Sequence, residues 1–560
     1  MLSRYVIRSR AVLVAAALVV ALALFLAACG GDKGGSSGGG DQGTPKPGGT
    51  YNWPIRSEPL SIEPMNIQEV EANEVTHQVF QGLYRIEMQG DTGVSVPDLA
   101  EKTEVNEDST VFTFTIKKGV TFAPPVNREV KAQDFVDSWS RLADPKNKAY
   151  PVYFIAPIEG IDPSIGGYSG KDGLTGAKAL DDYTLQVTLR YPYPEFTQAL
   201  SGSTTYVTPV DYINKIGAKA YAEKPVGTGP YMVDKWVHRQ KITLVKNPNY
   251  WDKANAGYVD VINMPIIEDE NTEWLEFQKG NIDFTAVPVG QVRASQNMPQ
   301  VKSGEWTAKK YPTTGIYFIG INMGGKGILA GADKLPIRQA LNYAADRDAV
   351  VNVVNEGVNV PTDGIVPPTM PGYKAGLNPY PYDPAKGKQV IDEYVKANGA
   401  VPTLPYEFNT GAGHDKIAEA MAAGWEKNLG IKVALTGVDT NAFWTDLPEN
   451  KVLGLFRYGW GADYPSIDNF IYLFTTEGKV YGSSTFYSNP QVDALYEKAR
   501  STVDETERNE LYNEAEKTIL TDAPCVPLYA YEDYRVTNNR IGGFNFSAYE
   551  TVDMWKVWVK

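Results

Sequence analysis

The sequence predicts a mixed α/β protein built from more than one lobe. Its 560 residues exceed what one simple core accommodates. After residue 50, apolar stretches of period two alternate with apolar stretches at helical spacing. No internal repeat and no linker-like break comes after residue 50, so the lobes are expected to be discontinuous, with the chain crossing between them. Hydrophobic residues at 43% and charged residues at 21% describe an ordinary globular chain, not a disordered one.

Residues 1–10 carry Arg4, Arg8 and Arg10, and Ala11 to Ala28 is an unbroken apolar run closed by Leu26-Ala27-Ala28-Cys29-Gly30. A basic start, an apolar stretch and small residues at its end make an export signal. The Leu-Ala-Ala-Cys quartet resembles the bacterial lipobox. That implies a lipoprotein signal peptide over 1–28 and a Cys29 bearing thioether-linked diacylglycerol and an N-acyl chain such as palmitate. The rival is an uncleaved transmembrane anchor, because 18 apolar residues barely span a bilayer. Either way the bulk of the chain is expected outside the cytoplasm, held at the cell membrane. Residues 29–50 comprise the Cys and a Gly/Ser-rich tether with a reach of roughly 25 Å. Gly35-Ser36-Ser37-Gly38-Gly39 formally fits a nucleophile elbow, but such an elbow needs a strand before it and a helix after it, and this segment forms neither.

Past the tether, Asn73 is a candidate N-cap for a helix carrying Val75, Val79, Phe80 and Leu83. Thr110–Lys117 alternates Phe112, Phe114 and Ile116 with threonines, a half-buried strand. Ala132 to Leu142 puts Phe135, Val136, Trp139 and Leu142 on one helical face. Tyr183, Leu185, Val187 and Leu189 alternate again. Ile337 to Val354 reads as one helix. Lys416–Leu429 reads as another, with Gly430 as its stop and a strand at Ile431-Lys432-Val433. Two more helices are expected near 490–501 and 505–520.

The net charge of -14, without a basic run, argues against nucleic acid as a partner. Thirty-four Tyr and 11 Trp suit either a large core or surfaces that enclose a ligand. If Cys29 is lipidated, Cys525 is left as a single thiol, so the protein must be stable without a disulfide. Only three histidines occur (His77, His238, His414), with no paired spacing, so neither a metal nor another cofactor is indicated.

One stretch concentrates chemistry: Phe456-Arg457-Tyr458-Gly459-Trp460-Gly461-Ala462-Asp463-Tyr464-Pro465. Aromatics and small residues surround one Arg and one Asp, the make-up of a small-molecule pocket. A carboxylate in such walls loses hydration and seeks a cation, since a pair ~4 Å apart at an effective dielectric near 20 is worth about 4 kcal/mol. The alternative is a Gly-rich turn after a buried strand, with Asp463 capping the segment after it.

Phe112-Thr113-Phe114-Thr115-Ile116-Lys117-Lys118-Gly119-Val120-Thr121-Phe122, then Val130-Lys131-Ala132-Gln133-Asp134-Phe135 and Trp139, resembles the signature of the family 5 solute-binding proteins of ABC importers. So do Gly227-Thr228-Gly229-Pro230-Tyr231, Asn247-Pro248-Asn249-Tyr250-Trp251, Gly280-Asn281-Ile282-Asp283, the Ile337–Arg347 segment, Tyr382-Asp383-Pro384-Ala385-Lys386 and Trp425–Ile431. The resemblance covers about residues 50–558. It implies a type II periplasmic-binding-protein-like α/β fold, two lobes hinged on a ligand and an extra lobe inserted in the first. Lobe I would comprise 51–84, 206–308 and 530–560, the inserted lobe 85–205, and the second ligand-binding lobe 309–529. The Phe112–Phe122 strand with its Gly119 turn and the Gly227–Tyr231 turn read mainly as fold markers.

Trp460-Gly461-Ala462-Asp463-Tyr464 is similar to the oligopeptide-binding branch. The resemblance implies that Asp463 accepts the ligand's free α-amine while backbone near Ala462 pairs with the peptide. Arg457 falls on an arginine that meets peptide carboxylates, and His414 on a histidine of similar role; a lone His there also suits an exposed capping residue. Gln68 and Glu69 precede the first helix, where the family pairs an extended segment with the ligand; which of them aligns stays open. Gly461 replaces a Cys of the branch, so that disulfide is absent, and Phe443 or Trp444 stands in for a pocket tryptophan. The implied function is a monomeric lipid-anchored protein that delivers oligopeptides to an ABC permease and its ATPase subunits. The alternatives are a dipeptide, signalling-peptide, oligosaccharide or metal-chelate ligand, a chaperone or adhesion lipoprotein, and a hydrolase, for which no credible motif is found.

Overall fold

Ile316 to Ile321 is a run of six buried residues at the heart of the largest sheet. Alternate members face opposite cores: Tyr317, Ile319 and Ile321 join one apolar cluster with Trp425 and Leu341, while Ile316 and Phe318 join another with Phe456 and Phe474. A strand covered on both faces needs no polar side, which is why this run lacks the alternation seen in half-buried strands. The computed structural model containing it describes residues 44–560, apart from Gln68, 163–164, 166, 169–172, 289, 412 and 481. The expected signal peptide, Cys29, most of the tether and Gln68 lie outside the described residues.

The large sheet has the order Phe284–Ala286, Cys525–Asn538, Trp306–Ile321, Leu455–Gly461, Leu404–Asn409, Val433–Val438, with Val360–Pro361 added beside Cys525–Asn538. The 306–321 strand runs antiparallel to both neighbours, while Leu404–Asn409 is parallel to Leu455–Gly461 and Val433–Val438. A four-stranded sheet joins Thr50–Asn52, Val261–Pro265, Lys241–Lys246 and Tyr231–Val237. A second joins Ala100–Val105, Val111–Ile116, Thr184–Thr188 and Ala177–Asp181. Phe112, Phe114, Leu185 and Val187 of that sheet share a core with Phe135 and Trp139 of the helix Ala132–Ala143.

The sequence motifs are scaffold. A Cβ on Gly227 would sit 2.1 Å from the Val79 carbonyl, and one on Gly229 2.5 Å from that of Gln78, so only glycine lets this turn meet the first helix. Buried Asp283 pairs with Arg540 and accepts the Asn52 N–H at 2.9 Å, tying the first strand to the segment after Asn538. Arg338 donates to the carbonyls of Leu329, Gly331 and Asp522, and the Trp425 indole to that of Leu341 at 2.9 Å.

Three expectations are corrected. The first helix spans Val70–Val79 with Glu69 at its N-cap, so Asn73 lies inside it and accepts instead from the Ser203 hydroxyl. The helix expected over 337–354 stops at Tyr343 and restarts at Arg347, where the Asp346 side chain accepts from the Ala349 N–H at 2.9 Å. An Asp capping its own new turn competes with helix continuation. Thr50, placed at the tether's end, already begins a strand, paired with Val261. The later helices are Pro490–Ser501 and Glu505–Asp522, within two residues of expectation.

Phe318 is fully buried with its ring 5.3 Å from Tyr458 and 5.7 Å from Phe474. Phe318→Ala is expected to cost about 3–5 kcal/mol, seen as a lowered midpoint in guanidinium unfolding.

Candidate ligand-binding site

The stretch around Asp463 opens as a strand rather than a turn: Leu455–Gly461 pairs residue by residue with 315–321, ending at Gly461 opposite Gly315. Its glycines have different reasons. A Cβ on Gly459 would lie 2.3 Å from the Tyr531 hydroxyl, whereas one on Gly461 would meet nothing within 4 Å. Gly461 therefore borders open space, a cavity of about 370 Å³.

Six segments distant in sequence enclose it. They are Ile67 and the first helix with its N-cap from Glu69 to His77, Pro151–Phe154, Ser201–Tyr206, Thr313–Gly315, Arg457–Asp463 and Ala548–Thr551, with Ile86 and Tyr531 added. Thr314 binds two of these together, since its N–H donates to the Ala548 carbonyl at 2.6 Å and its carbonyl accepts from the Ala462 N–H at 2.7 Å.

Asp463 is half-buried on the cavity wall. Asn469 brackets it: its side chain donates to the Asp463 carboxylate at 3.2 Å and accepts from the Asp463 N–H at 3.1 Å and the Trp460 indole at 2.8 Å. Burial pushes the Asp463 carboxyl up to about 6, against hydrogen bonds from Tyr153 and Asn469 that pull it down. Among the described residues no Lys, Arg or His forms a salt bridge with it.

Arg457 also lines the cavity, with its guanidinium 5.4 Å from the Tyr317 ring and 5.6 Å from the Trp444 ring. Its Nε is buried without a hydrogen-bond partner, and no carboxylate among the described residues pairs with it. The hydroxyls of Thr204 and Thr313, on the same walls, are likewise buried without partners. Buried polar atoms normally have partners, so this concentration marks a surface made to be covered.

Of the expected site residues, Asp463, Arg457, Trp460, Gly461, Ala462 and Glu69 come together on this cavity. Two do not line it. Tyr464 is buried and donates to Asp468 at 2.5 Å. His414 is the first residue of the helix His414–Leu429, 7% exposed rather than an exposed cap. Its Nδ1 lies 3.5 Å from the Tyr317 hydroxyl, and burial with the Arg457 charge pushes its pKa down to about 3. It is a neutral imidazole at pH 7 and offers no positive charge there. Phe443 is buried, while Trp444 stands against Arg457. Sequence reasoning missed Asn469, Tyr153, Thr313, Thr314, Tyr531 and Glu550. Asn469, six residues past Asp463, was the one within local reach.

Behind the wall, Glu195 accepts from Ser466 at 2.6 Å and Tyr512 at 2.9 Å and lies 3.3 Å from Arg508. Tyr193 donates to Asp468 at 3.0 Å. These buried bonds fix the 464–468 turn against the 193–195 segment. Among the described residues no group of three or more His, Cys, Asp or Glu is arranged to hold a metal, and no helix is long and apolar enough to cross a membrane.

A cleft with opposite charges left unpaired on its walls defines a binding protein for a small polar ligand. The family described as bacterial extracellular solute-binding proteins, family 5, matches residues 95–482, and the chain belongs to it. Members of this family are binding proteins, not enzymes. The oligopeptide-binding protein OppA of Bacillus subtilis is 31% identical over 536 residues, covering 94% of this chain and 95% of its own. The periplasmic oligopeptide-binding protein OppA of Salmonella typhimurium is 31% identical, covering 87% and 88%. The Escherichia coli murein tripeptide-binding protein MppA superposes with a TM-score of 0.75 at 25% identity, covering 92% of this chain and 98% of its own. The fold is that of the type II periplasmic binding proteins.

The Asp463 carboxyl titrates at about 6 in the fold against the ordinary 3.8. A raised pKa means that the folded form favours the proton. The resulting penalty is absent below about pH 4 and complete above about pH 6. Asp463→Asn should therefore stabilise the ligand-free protein at pH 7.5 by about 1–2 kcal/mol, allowing for partial solvent screening, and by nothing at pH 3.5. Thermal melts at the two pH values check this.

Proposed function

We propose that this chain captures oligopeptides outside the cytoplasm and delivers them to an ABC importer, acting as a monomer held at the membrane through lipidated Cys29. The observation that carries the reading is the pair of uncompensated charges on one cavity, the Asp463 carboxylate and the Arg457 guanidinium six residues away. A peptide is a zwitterion whose amine and carboxylate complement them. Asp463 accepts the α-amine, Arg457 meets a carboxylate, and Trp460, Gly461, Ala462 and Glu69 supply surface to the ligand. Main-chain contacts give affinity without reading side chains, and a hydrated cavity accommodates many of these.

The named functions of relatives at 31% identity support peptides as the ligand class. More distant relatives carry other names, among them a probable deoxycholate-binding protein at 27% identity and a heme-binding protein at 26%. A bile acid brings a carboxylate but no amine, and leaves Asp463 unanswered.

We further assign lobe I to 51–84, 206–308 and 530–560, the inserted lobe to 85–205 and the second lobe to 309–529, with closure stabilised by the ligand.

Calorimetry with tri- to pentapeptides tests the reading. Tight binding is expected for free-amine peptides and its loss on N-acetylation, since removing one partner of a buried ion pair costs roughly 2–5 kcal/mol. Asp463→Ala should abolish the difference. Equal binding of acetylated and free peptides removes the role given to Asp463, and no binding of either removes the peptide reading.

A further inference from the structure

Among the described residues, three carboxylates line the cavity, Glu69, Asp463 and Glu550, against one guanidinium, Arg457, and one imidazole, His77, which is already paired with Asp553 at 3.0 Å. A dipolar peptide with neutral side chains answers Asp463 with its amine and Arg457 with its carboxylate. It leaves the cavity acidic. The Glu69 carboxylate accepts the Leu60 N–H at 2.6 Å. No hydrogen bond or ion pair within the described residues reaches the carboxylate of Glu550.

The surroundings of Glu550 sharpen this. Among the described residues, the charges that act on it are Asp533 and Arg535 of the Cys525–Asn538 strand, Glu71 of the first helix, and Arg56 of the segment after the first strand. Glu74 and Tyr531 also feel its charge. Both arginines are already engaged, Arg535 with Asp533 at 2.8 Å and Arg56 with Glu270 and Glu273 at 3.2 Å each. Burial first, and then Asp533, push the Glu550 carboxyl up. Its backbone has φ +56°, a left-handed conformation that Gly or Asn adopts at less cost. A glutamate kept at a strained position, half-buried and unpaired on a ligand cavity, is a group awaiting a partner. The buried, partnerless hydroxyl of Thr313 lies on the same cavity.

We propose that Glu550 is a specificity-determining residue that selects peptides carrying a lysine or arginine side chain. This rests on the peptide reading of the cavity. A basic side chain brings the positive charge that the cavity lacks once both peptide termini are accommodated. It turns the unpaired carboxylate into a charge-assisted hydrogen bond.

The experiment uses four alanine-based tetrapeptides, each with lysine at a different position, and their norleucine counterparts, which keep the chain length without the charge. Titration calorimetry at pH 7.5 is expected to show, for at least one position, a lysine preference of roughly tenfold to a hundredfold. That ratio should collapse toward one in Glu550→Gln. It should also shrink as the pH falls from 8 to 5, because protonation discharges the carboxylate. Glu550→Gly relieves the positive φ and should lose the preference too, so a fold defect in the glutamine variant leaves the proposal testable. Peptides that bind with no lysine preference, or a preference that survives both variants, overturn the assignment of Glu550 and leave the peptide reading intact. No binding of any peptide overturns both.

Discussion

The site hangs on a break in one strand pairing. Residues 306–312 pair with 532–538 and residues 316–320 with 525–530, and between them the register slips. A bulge at this point localises a bend in two long strands that serve several cores. The three residues skipped, Thr313, Thr314 and Gly315, are cavity residues. Thr314, released from the ladder, spends its N–H on Ala548 and its carbonyl on Ala462, and so holds the loops that carry Glu550 and Asp463. The irregularity that interrupts the sheet thus places both acids.

Much of the scaffold was legible locally. The helices Ala132–Ala143, Pro490–Ser501 and Glu505–Asp522 and the strand Val111–Ile116 match their apolar period closely, because each buries one face and the pattern records which. Where a polar side chain competes with the backbone, the pattern misleads. Asp346 restarts a helix whose apolar residues run on, and Asn73 faces Ser203 instead of capping. Of the site, Asp463 and Arg457 were visible because they share a short aromatic, glycine-rich stretch. Tyr153, Thr313, Tyr531 and Glu550 were not, because tertiary closure alone brings them there. His414 misled for the opposite reason: a polar residue before a helix looks exposed, yet burial over Tyr317 makes it part of the support for the Arg457 region.

The same economy governs the charged groups. Asp463 and Arg457 are held in place by hydrogen bonds and ring faces rather than by each other, so neither is neutralised before a ligand arrives. Next to them, Glu195 and Asp468 are bonded to serine and tyrosine hydroxyls and shielded from the cavity. A satisfied polar network in low dielectric fixes geometry tightly, and here it fixes the turn after Asp463. Rigid support beside an unsatisfied wall keeps the ordering needed on binding small.

Cys525 is the one cysteine among the described residues, 1% exposed, and burial pushes its thiol well up. It sits opposite Gly320, where the longest strand pair begins. A thiol reagent added to a soluble form lacking Cys29 would find nothing to modify until that pair separates. The modification rate would then read the opening frequency of the central sheet, giving the protein a chemical clock of its own unfolding that needs no introduced label.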